Sequence, residues 1–129
     1  MRYPMAKTKL ATARHEAAHA IVGQLMGGRP RYIQNDGRGR SFCQFGNVSW
    51  GVIGCGLTMI AGSVAEHLWH GTPKGLVSAH DFTVLRQVGF KGEDFRVLWE
   101  EATRIVRKNK KKIWSLAKKI EKGGRYNFK

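Results

Sequence analysis

Acidic residues are scarce in this sequence, which has 9 Asp and Glu against 23 Lys and Arg and a formal net charge of +14. Such a charge attracts nucleic acid, acidic protein or anionic lipid through its summed field, and it carries no information about the fold. Cysteine is also scarce, with only Cys43 and Cys55 present. These two form neither a CxxC pair nor a disulfide framework, which favours a reducing compartment.

Long apolar runs are missing as well. The basic segment 1–9 is not followed by the apolar stretch of a signal peptide. The most apolar stretch, 52–65, is rich in glycine and too short to cross a bilayer, so the sequence predicts a buried helix there. We therefore expect a cytoplasmic protein without a transmembrane segment. Its 129 residues, which contain no internal repeat, predict a single domain over 1–129.

Hydrophobic periodicity predicts a mostly α-helical α+β fold with a small β-hairpin and a helical C-terminal segment. Apolar spacing, capping residues and glycines place a first helix from Thr8 or Thr12 to Met26, followed by two strands at 31–35 and 42–50 with a turn at 36–39 between them. Three further helical segments are predicted at 54–70, from Ser78 to before Gly89, and at 93–122, the last with a break at 109–111. The hydroxyl of Ser78 is expected to accept hydrogen bonds from the first-turn amides of its helix.

The clearest chemical signal is the run His15-Glu16-Ala17-Ala18-His19 inside the first predicted helix. Histidines at this spacing lie on one face of a helix, so both imidazoles reach a single ion. The glutamate after the first histidine points about one hundred degrees away around the helix, where it can activate an attacking water. This HExxH pattern predicts one Zn2+ ion per chain with Glu16 as general base. The simpler alternative is a helix with two ordinary histidines and a solvated glutamate.

A catalytic zinc site needs a third protein ligand besides His15 and His19. The metzincin pattern is excluded, because the glycine and histidine that it requires are replaced by Val22 and Leu25. The third ligand must therefore come from later in the sequence, which offers five candidates: Glu66, His67, His70, His80 and Asp81.

The run Ala13-Arg14-His15-Glu16-Ala17-Ala18-His19-Ala20 resembles the zinc helix of the FtsH-type ATP-dependent metalloproteases. Later runs resemble that family's next segments in the same order: a small-residue helix (Ala61-Gly62-Ser63-Val64-Ala65-Glu66), an apolar pair before a glycine (Leu68-Trp69-His70-Gly71), the start of the following helix (Val77-Ser78-Ala79-His80-Asp81-Phe82), and a two-part helical tail (Glu100-Glu101-Ala102 and 109–117). The resemblance covers 11–122 and implies a zincin-like peptidase fold.

The resemblance implies that Asp81 is the third metal ligand. A carboxylate near a helix start also suits this role physically, although the helix dipole alone would favour an acid there. Glu66 is the second candidate for the third ligand. We expect it instead to accept a hydrogen bond from the second ring nitrogen of a ligating histidine. His80 is expected to cap its helix or to polarise substrate, and His67 and His70 are expected to pack or to lie at the surface.

The sequence departs from that family in several ways. We expect neither the ATP-driven motor nor the membrane anchor of that family here, and therefore proteolysis only of unfolded or flexible peptide segments. Ala18 stands where the family usually has glycine, and Arg14 where it often has an aromatic residue. The hairpin region, where an extended substrate would lie along a strand edge, is abbreviated. Stand-alone domains of this kind resemble phage proteins, which would place this one in the host cytoplasm.

Positive charge is concentrated in the C-terminal segment 93–122. The residues that would form a basic binding surface are Arg107, Lys108, Lys110, Lys111, Lys112, Lys118 and Lys119. Trp114 lies among them, and basic residues interleaved with aromatic ones bind phosphate backbones and stack bases. An acidic protein would use the same charges. The simpler alternative is a solvated helical face with Trp114 in the core.

Two functions are consistent with these observations. The first is a zinc-dependent endopeptidase that uses His15, His19 and Asp81 as ligands and Glu16 as base. The alternative is a binding or inhibitor protein that uses the zincin fold as a scaffold and engages nucleic acid or a host protein through its basic surface. A deaminase-like hydrolase is disfavoured, because its cysteine-based ligand signature is absent.

Overall fold

The computed structural model describes residues 8–35, 41–46 and 49–129. Within these ranges the chain forms helices and one antiparallel sheet, in the order α1 (Lys9–Leu25), β1 (Pro30–Asn35), β2 (Ser41–Phe45), α2 (Gly51–His70), α3 (Ala79–Val88), α4 (Asp94–Lys108), α5 (Lys110–Ile120) and β3 (Gly124–Asn127). The mostly helical α+β class predicted from the sequence is confirmed. That the whole chain is one domain stays a prediction.

Helix α1 begins and ends where its sequence predicts. The Thr8 hydroxyl accepts a hydrogen bond from the backbone N–H of Ala11 at 3.0 Å, which satisfies one of the otherwise unpaired amides of the first turn. At the other end Gly27 has a φ of +103°, a conformation that glycine adopts without strain. Alanines fill much of the buried face, so the helix backbone lies close to α2, against which it packs.

Helix α2 is longer than the apolar stretch that predicts it. It begins at Gly51, after the N-cap residue Trp50, and it ends at His70, before the C-cap residue Gly71, whose φ is +75°. Over its 20 residues the helix is long and apolar enough to cross a membrane by length and composition. The prediction that this segment is too short to cross a bilayer is therefore wrong. Of its most apolar 18-residue window, 61% is buried inside the fold. The prediction of a buried helix is confirmed.

The sheet has the strand order β2-β1-β3. Strand β2 ends at Phe45 and not near Trp50 as predicted, because Trp50 is already the N-cap residue of α2; residues 47–48 of the predicted strand lie outside the described residues. Strand β3 was not predicted. It pairs antiparallel with β1 and places Tyr126 opposite Ile33, a fully buried core residue. The predicted turn at 36–39 lies outside the described residues.

The last three helices follow the predicted pattern, with one correction at a cap. The break falls at Asn109, whose side-chain Nδ2 donates to the carbonyl of Ile105 at 2.8 Å. Helix α3 begins after Ser78, but the Ser78 hydroxyl accepts no bond from the first-turn amides. It donates instead to Oδ2 of Asp81 at 2.7 Å, so its role is to orient a carboxylate. Both α4 and α5 bury an apolar stripe: Leu98, Trp99, Ala102, Ile105, Val106, Ile113, Leu116, Ala117 and Ile120.

Candidate metal centre

The two histidines of the HExxH run lie one above the other on the buried face of α1. Each is only 5% exposed. Their Nε2 atoms are 3.0 Å apart, and their rings meet edge to face with centroids 4.6 Å apart. The spacing of one helical turn therefore places the two ring nitrogens side by side, as the sequence predicts.

Helix α2 orients each ring through a hydrogen bond from its Nδ1 atom. His15 Nδ1 lies 2.7 Å from Oε2 of Glu66, and His19 Nδ1 lies 2.7 Å from the carbonyl oxygen of Thr58. A carbonyl and a carboxylate accept hydrogen bonds, so each Nδ1 carries the proton. The lone pair of each neutral ring is then on Nε2, the atom that faces the other histidine.

Asp81 brings a third acceptor to the same place. Its Oδ2 atom lies 3.2 Å from Nε2 of His15 and 3.2 Å from Nε2 of His19, and the residue is 6% exposed. The Ser78 hydroxyl donates to this carboxylate, and the backbone N–H of Ser78 donates to Oγ of Ser63 at 3.1 Å. Helix α2 thus holds the start of α3, and with it Asp81, against the histidines.

The donor set of this group fits a metal ion. Three lone-pair atoms that converge in a buried place repel one another unless a cation lies among them. Tetrahedral bonds of about 2.0–2.2 Å to zinc place ligand atoms about 3.3 Å apart, and the three separations here are 3.0, 3.2 and 3.2 Å. The buried group of His15, His19 and Asp81 could therefore hold a metal ion.

The electrostatics of the group point the same way. The pKa of His19 is raised above its ordinary 6.5: burial by itself would lower it, but the charge and hydrogen bond of Asp81 outweigh that effect. The pKa of Asp81 is held well below its usual range, because His19 and His15 outweigh the opposing effect of burial. Without a metal, the group therefore favours a proton at the place where a cation would sit.

Glu16 lies beside this group on α1 and is 5% exposed. Its charge is one of the smaller causes that raise the pKa of His19. Burial first, and then the charge of Glu16, raise the pKa of the Cys43 thiol in β2. The carboxylate of Glu16 is therefore within electrostatic reach of both the histidines and strand β2. It is not in the group of three ligands, as expected for a general base.

The other candidate ligands lie elsewhere. Glu66 takes the outer position that was predicted for it, on the far side of the His15 ring. Nδ1 of His67 lies 2.7 Å from the carbonyl oxygen of Thr72, and Nε2 of His70 lies 3.3 Å from Nη1 of Arg14. His80 is exposed at the start of α3, and the group that can hold an ion does not include it.

The basic surface predicted on the C-terminal segment is solvent-exposed at each of its residues: Arg107, Lys108, Lys110, Lys111, Lys112, Lys118 and Lys119. Trp114 is half-buried against the core and is therefore not a free stacking surface. Its ring meets the ring of Trp69 edge to face and carries the Arg14 guanidinium at 3.7 Å.

Three residues of the site could not be predicted from the HExxH run. The Thr58 carbonyl is a backbone group and has no sequence signal. Ser63 acts only through Ser78. Gly62 has a signal only in the small-residue run around it: a Cβ atom at this position would lie 2.5 Å from Nε2 of His15. The glycine therefore leaves the space that the ring occupies.

Comparison with known proteins adds no assignment, since no family model matches this sequence and no curated protein matches it either. The functional argument therefore depends on the geometry of the site.

Proposed function

We propose that this protein is a zinc-dependent metallopeptidase with a zincin-like fold, similar to the peptidase domain of the FtsH-type proteases. The observation that supports this most directly is the convergence of two imidazole nitrogens and one carboxylate oxygen, within 3.2 Å of one another. Glu16 lies next to His15 in the sequence and is buried beside the group. Zinc is the preferred metal, because two imidazoles with one carboxylate are a common ligand set of hydrolytic zinc sites.

Each residue of the site has its own role in the proposed hydrolysis. When bound by His15, His19 and Asp81, zinc would polarise the scissile carbonyl and lower the pKa of water. Glu16 takes the proton of the attacking water and delivers it to the departing amine nitrogen, which balances the proton over the reaction. Glu66 and Thr58 keep the rings in the tautomer that leaves Nε2 available.

Strand β2 is the proposed platform for the substrate. It lies at one edge of the sheet, with β1 on its other side. An extended peptide can pair with the backbone of an edge strand, and the field of Glu16 reaches Cys43 on this strand. A peptide bound in this way must be locally unfolded. We therefore propose flexible segments and unfolded peptides as substrates.

Cleavage of an unfolded substrate tests this proposal. Zinc-loaded wild type is incubated with casein and with a quenched fluorescent peptide, alongside Glu16→Gln and the control His80→Gln. Glu16→Gln should lower the rate by at least about a hundredfold while it still binds one zinc, since general-base catalysis contributes factors of 10² to 10⁴. His80→Gln should keep the wild-type rate. Cleavage that survives Glu16→Gln at the wild-type rate would refute the proposed role.

A further inference from the structure

A cavity rich in arginine, the basic cavity, lies where β1 and β3 meet, and it shares no residue with the metal centre. Its volume is about 430 Å³. The chemistry-bearing residues of its lining are Arg29, Arg31, Tyr32, Arg125, Phe128 and Lys129. Among the described residues that line it there is no Asp or Glu side chain, and these residues concentrate positive charge in the basic cavity.

Backbone hydrogen bonds fix the main chain at Arg31 in β1 and at Arg29, the residue before β1. The carbonyl of Arg29 accepts from the N–H of Gly46 at 2.8 Å, and the carbonyl of Arg31 accepts from the N–H of Phe128 at 2.9 Å. Gly46 also leaves room for the Arg31 stem, because a Cβ atom at position 46 would lie 3.0 Å from Cδ of Arg31. The positions from which these guanidinium groups extend are therefore set by the sheet.

Arg125 is positioned from the opposite strand. Its guanidinium stacks on the ring of Tyr32 at 3.7 Å, and its Nε donates to Oδ1 of Asn127 at 3.1 Å. Stacking orients the planar group while its terminal nitrogens remain able to donate. Within residues 8–35, 41–46 and 49–129, no Asp or Glu side chain forms an ion pair with Arg29, Arg31 or Arg125.

We propose that the basic cavity binds the sugar–phosphate backbone of single-stranded nucleic acid. Guanidinium forks match phosphate oxygens in pairs, and three arginines without a carboxylate partner among the described residues suit this ligand. The volume falls in the range of about 300–1,000 Å³ that is typical of small-molecule sites, which is enough for a nucleotide unit and more than one phosphate needs. The arginine side chains are exposed, so the site is open and a polymer can pass across it.

Phe128, also in the lining, is half-buried: it packs against the core and its ring meets the Tyr126 ring edge to face, so it is an apolar wall of the cavity and not a free stacking surface. One further feature favours a polyanion over a small anion. The net charge of +14 draws a polyanion from a distance. The exposed residues Lys118 and Lys119 in the last turn of α5, and Lys122 between α5 and β3, add to this charge.

Fluorescence anisotropy with a labelled oligothymidylate of about 12 nucleotides, in the size range of single-strand sites, tests the proposal. Arg31→Gln/Arg125→Gln should weaken binding by at least about tenfold, and the slope of log affinity against log salt should become shallower by about 1.4, the value for two lost phosphate contacts. The control Lys111→Gln/Lys112→Gln removes the same charge from exposed positions on α5 and should weaken binding by less than about threefold. Equal losses in the two double variants would overturn the proposal, because only net charge would then matter.

Two further measurements separate lost binding from poor folding, and nucleic acid from acidic protein. Arg31→Lys/Arg125→Lys retains the charge but not the paired donors, so it should also bind more weakly than wild type even if the Gln variant folds poorly. Poly-glutamate should compete weakly; competition as strong as that of unlabelled oligothymidylate would assign the site to acidic proteins instead. Binding should be the same with EDTA and with Glu16→Gln, so this result is independent of the proposed peptidase activity.

Discussion

Nδ1 of His15 lies 2.7 Å from Oε2 of Glu66, and both side chains are 6% exposed. This contact joins α1 to α2 and directs the lone pair of His15 toward His19 and Asp81. A carboxylate in this outer position also makes the imidazole a better metal ligand. The metal centre is therefore built from four parts of the fold: α1, α2, the loop before α3, and the first turn of α3.

Replacing Glu66 by glutamine should weaken zinc binding by about ten- to hundredfold, because loss of an outer partner of a ligating histidine has effects of this size. The measurement is competition against a chromophoric chelator at pH 7.5. Glu93→Gln is the matched control, since the Glu93 side chain is 72% exposed and pairs with Arg96 at the surface of α4. Equal zinc affinity of Glu66→Gln and Glu93→Gln would show that Glu66 does not support the ligand.

Gly62→Ala should reduce metal binding and lower stability together. The added methyl group would lie 2.5 Å from Nε2 of His15, so the ring must move from its position. Overpacking of this kind costs about 1–3 kcal/mol. Gly56→Ala is the control: its methyl group would lie 2.6 Å from the Phe90 ring, so it introduces a similar clash on α2 away from the ligands.

Urea unfolding measures the stability of both glycine variants, and chelator competition measures their zinc affinity. Both are expected to lose stability, while only Gly62→Ala loses zinc affinity. A Gly62→Ala protein that binds zinc as tightly as wild type would contradict the close approach of the His15 ring to α2.

The pH dependence of the metal-free protein has a definite sign. The folded pKa of His19 is raised, so its contribution to stability is fully present below about 6.5 and is lost as pH rises through the folded pKa. The folded pKa of Asp81 is depressed, so its contribution is present above the unfolded pKa of about 3.8 and is lost only under strong acid. In EDTA, the melting temperature should therefore fall as pH rises from 6 to 8.

Zinc should reverse that trend, because it competes with the proton for the same nitrogen atoms and its affinity rises with pH. The rise in melting temperature on adding zinc should be larger at pH 8 than at pH 6. The measurement is differential scanning fluorimetry with and without zinc. His19→Gln should remove both dependences, and the exposed His80→Gln should preserve them. Identical pH profiles for His19→Gln and wild type would argue against the coupled group.

Thr8→Ala tests the start of the metal helix. The hydroxyl of Thr8 accepts from the N–H of Ala11 at 3.0 Å, and loss of such a cap costs about 1 kcal/mol. Urea unfolding should show this decrease, whereas Thr83→Ala on the exposed face of α3 should change stability by less than about 0.5 kcal/mol. Zinc affinity should stay near wild type in both, since the cap lies almost two turns before His15. A neutral Thr8→Ala would place the start of α1 later in the chain.

Much of the fold could be predicted because local signals agree with one another. Thr8 and Gly27 bound α1, Gly71 ends α2, and Asn109 separates α4 from α5, each through a conformation or cap that depends on neighbouring residues alone. Strand β3 could not be predicted in this way. It is a four-residue strand with two polar residues and one glycine, and it exists because β1 offers a backbone edge distant in sequence.

The metal centre likewise has a part that follows from local sequence and a part that does not. The spacing of His15 and His19 determines that their rings share a face, so this pair follows from helical geometry alone. The prediction of Asp81 depends on a resemblance and not on spacing, since Asp81 lies 62 positions after His19 in the sequence. The basic cavity had no signal, because Arg31 and Arg125 meet only after β1 and β3 pair.

The most direct test of the central claim is the metal content of the purified protein, measured by native mass spectrometry. Wild type and Glu16→Gln should each carry one zinc per chain after exposure to equimolar zinc and buffer exchange. His19→Ala and Asp81→Ala should lose it, while the exposed-histidine control His80→Ala should retain it. Absence of zinc from wild type, or full retention by both ligand variants, would contradict a metal site at His15, His19 and Asp81.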